Sequence, residues 1–369
     1  MKPFIPEKLP IQNIDWEPLI PLIGRANRAL AHYDGAIMGI PNSSILLSPL
    51  TTQEAVLSSR IEGTRATLGE VLEYEAGNED IEDSKLLDIQ EIINYRKALK
   101  VAEKELKNKP FRLNLLRELH KILLASVRGR NKGRGEFRTI QNWIGAPDSS
   151  IDEADFLPPK PEGLVKHLDR WEKFYHSGYP DPLVQLAIVH AQFEIIHPFL
   201  DGNGRLGRIL VPLFLYEKEI LSSPMFYLSA YLEKYRRHYI DSLRALNEPD
   251  HWNQWIKFFL KAIYIQAQDN TTKAREIMVL YDKMKTTILE ITRSQYGVPM
   301  LDFMFAHPIF KSSQISFAKA TPSKQLIAKM VRALKEARVL KIMKEGSGRQ
   351  GQVYGFAELV NISEGKKVL

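Results

Sequence analysis

Residues 182–196, PLVQLAIVHAQFEII, are apolar nearly all round a helical projection. A helix with no polar face has no side to give to water, so this segment predicts a buried central helix with other elements packed around it. Pro198 ends it, because the proline ring removes a donor and disfavours helical backbone at His197. A helical pattern resumes after Gly204 with RLGRILVPLFLYEKEI. Apolar residues at three- and four-residue spacing predict further helices over 83–106 and 111–127, and a helix pair through 231–269 anchored by Trp252 and Trp255. The chain therefore reads as mainly α.

Two regions interrupt this rhythm. Residues 133–161, GRGEFRTIQNWIGAPDSSIDEADFLPPKP, are rich in Gly, Pro, Asp and Ser around a short β-like centre at 137–144, the pattern of a hairpin or flap. Residues 300–357 read as an apolar segment, two helices, and a piece that alternates around a Gly/Ser turn as a two-stranded wing. Helix, helix and hairpin together predict a winged helix-turn-helix. Charge points the same way. The net charge is +7, and residues 301–369 hold twelve Lys or Arg against five Asp or Glu, whereas the rest of the chain is balanced. The whole excess falls on this segment, a footprint suited to nucleic acid or an acidic protein partner.

Composition narrows the classes further. There is no cysteine, which excludes disulfides and thiolate metal sites and fits a reducing compartment. The stretch MKPFIPEKLPIQNIDW has no apolar run resembling a signal peptide, and no segment approaches the ~20 apolar residues that span a bilayer. The expectation is a cytoplasmic protein with no membrane partner.

The chemistry concentrates in residues 197–208, HPFLDGNGRLGR. A helix beginning near Gly204 presents unpaired N–H groups and a partial positive charge at its start. Gly202 and Gly204 let backbone approach a ligand, and Asn203 is suited to left-handed backbone. The result is an anion cradle. Arg205 and Arg208 lie on one helical face, and two fixed cations suit several phosphates better than one carboxylate. Asp201 supplies a hard oxygen of the kind that holds Mg²⁺ together with phosphate oxygens and water. His197 has the right chemistry to take a proton from an attacking hydroxyl. A zinc reading competes: His190, Glu194 and His197 fall at i, i+4 and i+7 on one face. It would leave Asp201 and both arginines without a role, and His190 and Glu194 read better as buried hydrogen-bonding groups that hold the loop.

The string resembles the Fic family signature H-P-F-x-D-G-N-G-R-x-x-R at every fixed position, and the resemblance extends over most of 25–265 through GEFRTIQNWIG, FLPPKP and YLSAYL. It implies a Fic-type helical bundle core with a small β-hairpin flap, to which the C-terminal winged helix (α+β) is added. It also implies transfer of AMP from ATP to a Ser, Thr or Tyr hydroxyl of a target protein. His197 would be the base and Asp201 the ligand of Mg²⁺ or Mn²⁺. Gly202, Asn203 and Gly204 would cradle the inner phosphates, Arg205 would contact them, and Arg208 would take the γ-phosphate. Leu206 and Gly207 complete the ATP-binding run. Where the family often shows two adjacent tyrosines, the second against the adenine, this chain has Tyr239 followed by Ile240. The flap at 137–156 would receive the target segment by β-augmentation.

A second string, SSRIEGT at 58–64, is similar to the family's inhibitory motif [S/T]-x-x-x-E-[G/N]. Ser58 and Glu62 would stand at i, i+4 on a helix begun around Thr51–Thr52, with Gly63 ending it. Glu62 would pair with Arg208 and so hold the partner of the γ-phosphate. The expected divisions are an N-terminal helical region over 1–105, a catalytic core over 106–285 and the winged helix over 286–369. Removal of AMP, transfer of another phosphate-containing group, a homodimer, and a DNA-binding regulator built on 301–369 remain open at this stage.

Overall fold

The computed structural model describes residues 2–78, 81–125, 131–145, 150–246, 251–317, 321–346 and 351–369. The helices in chain order begin with α1 (Ile20–Met38), α2 (Ser43–Leu46), α3 (Ser48–Ile61), α4 (Leu68–Glu75), α5 (Asp83–Leu106) and α6 (Leu113–Leu123). They continue with α7 (Leu164–His176), α8 (Pro182–Ile196), α9 (Asn203–Glu217), α10 (Ser229–Lys234) and α11 (Arg236–Ala245). The last are α12 (Trp252–Thr292), α13 (Gly297–Ala306), α14 (Lys324–Glu336) and α15 (Ala357–Glu364). Strands β1 (Ile309–Lys311), β2 (Lys341–Lys344) and β3 (Val353–Gly355) form one small antiparallel sheet in the order β1-β3-β2. The chain is mainly helical, as its sequence pattern requires.

The residues fall into two compact units, each assembled from separate stretches. One comprises Met1–Asp34, Leu57–Gly63 and Asn94–Gln268; the other comprises Gly35–Val56, Thr64–Ile93 and Asp269–Leu369. Within the first unit, α8 packs between α7 and α9 and also meets α11. Its start is fixed by Asp181, whose carboxylate accepts from the N–H groups of Leu183 and Val184 (both 2.9 Å), with Pro182 at the first helical position. Thirteen of its residues are buried, and each large aliphatic side chain sequestered there contributes roughly 1.5–3 kcal/mol. Two indoles lock the helix laterally: Trp171 Nε1 donates to Val189 O and Trp255 Nε1 to Ala187 O, both at 2.8 Å.

In the second unit, α4 is set by a capping box in which Thr67 N–H donates to Glu70 Oε2 (2.9 Å) and Glu70 N–H to Thr67 Oγ1 (3.3 Å). Leu68, Leu72 and Ala76 then pack with Ile309, Val353 and Val360 in one apolar cluster. The predicted wing is present as β2 and β3, paired with Ile342 opposite Tyr354 and a register shift between Ile342 and Lys344. Its Gly/Ser turn at 347–350 lies outside the described residues.

Several expectations are corrected. The sheet has a third strand, β1, whose three residues were too short a run to register as a strand. The second helix predicted through 231–269 is part of α12, which continues to Thr292 because no glycine or proline interrupts 252–296. Helix α3 begins at Ser48, not Thr51, with Pro49 in its first turn. The flap forms no paired strands among the described residues. It is closed by a single antiparallel bridge, Ile144 to Phe156, and its 146–149 portion lies outside the described residues. Arg138 N–H donates to Pro198 O (2.9 Å), so part of the flap's backbone bonding goes to the neighbouring loop.

Candidate active site

The site is built at the junction of α8 and α9. His197 caps α8 in left-handed backbone (φ 48, ψ 60), and Gly202 turns into α9 with φ 77. These two residues take the left-handed positions. Asn203, expected to do so, is instead the first residue of α9. Its side chain closes the loop on itself, because Oδ1 accepts from Phe199 N–H (2.9 Å) while Nδ2 donates to Phe199 O (2.8 Å). A Cβ at Gly202 would lie 3.4 Å from Leu123 Cδ2, an ordinary contact, so it is the positive φ rather than space that calls for glycine here.

His197 is poised as a proton acceptor. Its Nδ1 lies 3.2 Å from Glu194 O, a carbonyl that can only accept, so Nδ1 carries the proton and Nε2 keeps its lone pair. Burial is the largest influence on this ring and pushes its pKa down to about 4, which keeps the imidazole neutral at physiological pH.

Arg205 and Arg208 are both buried on α9. Arg205 Nη2 stands 3.5 Å from Asp201 Oδ1, which also accepts from Gly202 N–H at 2.6 Å. Arg208 is held by the second motif: Nε donates to Ser58 Oγ (2.8 Å), and Nη2 donates to Ser58 O (2.9 Å) and to Glu62 Oε1 (2.5 Å). Burial opposes the charge of Arg208, but Glu62, Tyr239 and Glu194 outweigh it and hold the guanidinium above its ordinary pKa. Burial likewise would raise the Glu62 carboxyl, yet the charge and hydrogen bond of Arg208, then the charge of Arg205, bring it below the usual range. Ser58 lies within α3 and Glu62 one residue past its end, where Gly63 departs with φ +100. Glycine at 204 makes this approach feasible. A Cβ there would fall on the Glu62 carboxylate and 3.0 Å from Arg208 Nη1. Glu62 thus lies over the first turn of α9, where an anionic ligand would be drawn.

Of the remaining predicted positions, Leu206 is fully buried in the core, and Gly207 O accepts from His190 Nδ1 at 3.0 Å. Ile240 is half-buried on α11. The neighbouring Tyr239 reaches the site, its hydroxyl 2.8 Å from His190 Nε2. Because Nδ1 of His190 donates to a carbonyl, Nε2 accepts from Tyr239, and burial brings the ring to about 3. Both nitrogens are occupied, which overturns the zinc reading. No group of three or more His, Cys, Asp or Glu suited to a metal occurs among the described residues. A lone carboxylate at the mouth of an anion cradle, with its side chain 39% exposed, does fit a cation that takes most of its ligands from substrate phosphates and water.

Sequence reasoning missed the residues that hold this loop. Gly135 N–H donates to His120 Nδ1 (2.8 Å), so Nε2 donates to Asp201 O (3.0 Å), and the ring stacks on Phe199 at 3.9 Å. Arg138 gathers carbonyls from the end of α8 and from its own segment: Nε donates to His197 O (2.9 Å) and Nη2 to Ile196 O (3.3 Å), while Nη2 also donates to Pro159 O (2.5 Å) and Nη1 to Ile140 O (3.4 Å). Asn142 Nδ2 donates to Phe199 O at 2.9 Å. The available signal was an arginine and an asparagine inside the Gly/Pro-rich segment 133–161, although nothing in that pattern specifies carbonyl partners.

The fold is similar to that of a Fic family protein from Desulfovibrio desulfuricans G20, with a TM-score of 0.59 and 16% identity, covering 94% of this chain and 97% of that one. It is also similar to Fic-1 (aa134 - 508) from C. elegans, with a TM-score of 0.53 and 19% identity over 71% of this chain and 75% of that one. A relative from Nematostella vectensis named "Protein adenylyltransferase Fic" is 27% identical over 163 residues, 43% of this chain and 36% of the relative. The match thus spans about a third of that relative's length. The family profile described as Fic/DOC family N-terminal matches residues 20–104, and the one described as Fic/DOC family matches 110–215. With the two profiles together spanning more than half of its length, the chain belongs to the Fic/DOC family.

Proposed function

We propose that this protein transfers AMP from ATP to a Ser, Thr or Tyr hydroxyl of a target protein, and that Glu62 holds the activity down by occupying Arg208. One arrangement carries the reading: a neutral imidazole with an accepting Nε2 stands beside a helix N-terminus flanked by two buried arginines. The name of the Nematostella vectensis relative supports the same class of reaction.

In the reaction, the target hydroxyl oxygen attacks the α-phosphorus of ATP and the bond to the oxygen bridging to the β-phosphorus breaks. AMP remains on the target, pyrophosphate leaves, and the hydroxyl proton passes to His197 Nε2. The N–H groups opening α9 at Asn203 and Gly204, with Gly202 before them, hold the inner phosphates. Arg205 stabilises charge developing there. Arg208 receives the γ-phosphate once Glu62 and Ser58 release it. Asp201 would hold Mg²⁺ or Mn²⁺, which when bound neutralises phosphate charge. Leu206 and Gly207 act by keeping the helix packed so that both arginines stay aligned, and Ile240 with Tyr239 offers an apolar wall to the base. The flap would take an extended target segment at its rim, where Ile140 is 61% exposed and Trp143 41%. The functional divisions are 1–105, 106–285 and 286–369, the last as a winged helix.

Incubation with ATP labelled at the α-phosphate tests the reading. Glu62→Gly should raise label on protein, including on the chain itself, and His197→Ala in that background should lower it by about 10²–10⁴-fold, the usual contribution of a general base. A Glu62→Gly protein that carries no label with Mg²⁺ or Mn²⁺ present would refute AMP transfer.

A further inference from the structure

Helix α14 is amphipathic in a way that the proposed transfer reaction does not use. Its buried face is Ile327, Met330, Val331 and Leu334. The opposite face is a stripe of Gln325, Ala328, Lys329 and Arg332, all exposed, with Glu336 at its far end. Lys324 and Lys335 flank the stripe, and Arg338 and the exposed Lys341 of β2 follow it. Over residues 321–344 there are seven Lys or Arg and one acidic residue.

A basic surface is ordinarily neutralised in part by its own neighbours. Here Lys311 and Lys344 are so engaged: Lys311 Nζ donates to Gly77 O (2.6 Å) and Lys344 Nζ to Asn78 Oδ1 (3.0 Å). By contrast, among the described residues the side chains of Lys324, Lys329, Arg332, Lys335, Arg338 and Lys341 have neither an ion pair nor a hydrogen bond. The segregation is therefore real: two lysines brace the sheet against the end of α4, and six cations are left for an external anion.

We propose that the exposed face of α14 is a docking surface for duplex DNA, with α14 in the major groove. The side chains suit the groove. Gln325 matches adenine N6 and N7, Arg332 matches guanine O6 and N7, and the small Ala328 lets the helix approach a thymine methyl. Gln325 and Arg332 are seven residues apart, about 10 Å of helix, comparable with the ~12 Å groove of B-DNA. Lys324, Lys335, Arg338 and Lys341 surround the stripe as phosphate contacts. Duplex RNA is disfavoured because its A-form major groove is too narrow to admit a helix. A membrane is disfavoured because the stripe has no bulky apolar residue to bury among acyl chains.

Fluorescence anisotropy of the full chain with labelled duplex DNA, from about 50 to 200 mM salt, tests this. Affinity should fall steeply across that range. Lys335→Ala should lower the salt slope by about 0.9, and Arg332→Ala should weaken the preferred sequence by roughly 5- to 150-fold. Lys173→Ala, an exposed lysine on α7, should change neither. The urea midpoints of the α14 variants should match that of the parent chain, which shows that they are folded, and DNA binding should persist in His197→Ala. No binding at the lowest salt, binding unaffected by Arg332→Ala and Lys335→Ala together, or equal affinity for duplex RNA would each overturn the proposal. The outcome is independent of whether AMP transfer is found.

Discussion

At the scale of single residues, the informative contacts are those that glycine permits. Gly204 admits Glu62 to the first turn of α9, and Gly207 admits the carboxyl of Glu194, on which a Cβ at 207 would fall. The Cβ would also stand 3.3 Å from Phe193 Cδ1. Overpacking of this kind costs about 1–3 kcal/mol, so Gly207→Ala should lower the urea midpoint accordingly without changing the slope. Arg208 divides its hydrogen bonds between a hydroxyl, a carbonyl and a carboxylate, and only the last contributes opposite charge. Ser58→Ala removes the neutral hydroxyl and leaves the carboxylate in place. It should therefore raise label transfer, but to a level below that of Glu62→Gly. Transfer equal to or above Glu62→Gly would mean that Ser58, rather than Glu62, holds Arg208.

At the scale of elements, the loop between α8 and α9 is fixed from outside as much as by its own sequence. Arg138 satisfies four carbonyls, and a buried acceptor left unmade costs about 1–3 kcal/mol. Arg138→Met keeps much of the side chain's length and removes every donor, so it should destabilise the chain by more than ~2 kcal/mol in urea unfolding. Arg138→Lys, a single point donor in place of a fork, should fall between Met and the wild type. An Arg138→Met protein as stable as wild type would show that water replaces the guanidinium. This dependence also explains what was legible in the sequence. Residues 182–196 and 83–106 matched their helices because apolar periodicity and proline placement are local signals. His197, Asp201, Arg205 and Arg208 were readable because they share one short string. His120 and Arg138 were not, because their partners lie 81 and 59 residues away and are backbone carbonyls that no side-chain pattern announces. The flap failed as a pair of strands for a related reason. Alternation at 137–144 predicts β backbone but says nothing of a neighbour whose carbonyls take up its donors.

At the scale of the whole molecule, burial of these groups turns into a dependence of stability on pH. His120, His190 and His197 are pushed down by burial to about 4, 3 and 4, from an ordinary value of 6.5. Between those values the unfolded chain binds more protons than the folded one, so stability falls as pH drops from 6.5 toward 4. Glu194 has the opposite sign. Burial raises it from 4.5 to about 8, with Arg208 opposing and Glu62 assisting, and its Oε1 has no hydrogen-bond partner among the described residues. The folded state then holds a proton that the unfolded state releases above 4.5, so this group's contribution is full below 4.5 and is lost as pH rises to about 8. Three histidines outweigh one carboxyl on the acid side, and the carboxyl acts alone between 6.5 and 8, so stability should peak near pH 6.5. Glu194→Gln keeps the shape and removes the ionisation. Urea unfolding across pH 5 to 8.5 should show the decline above about pH 6.5 abolished in Glu194→Gln and the acid limb retained. If the variant and the wild type decline in parallel toward pH 8, Glu194 is ionised in the folded protein and Arg208 faces two carboxylates at once rather than one.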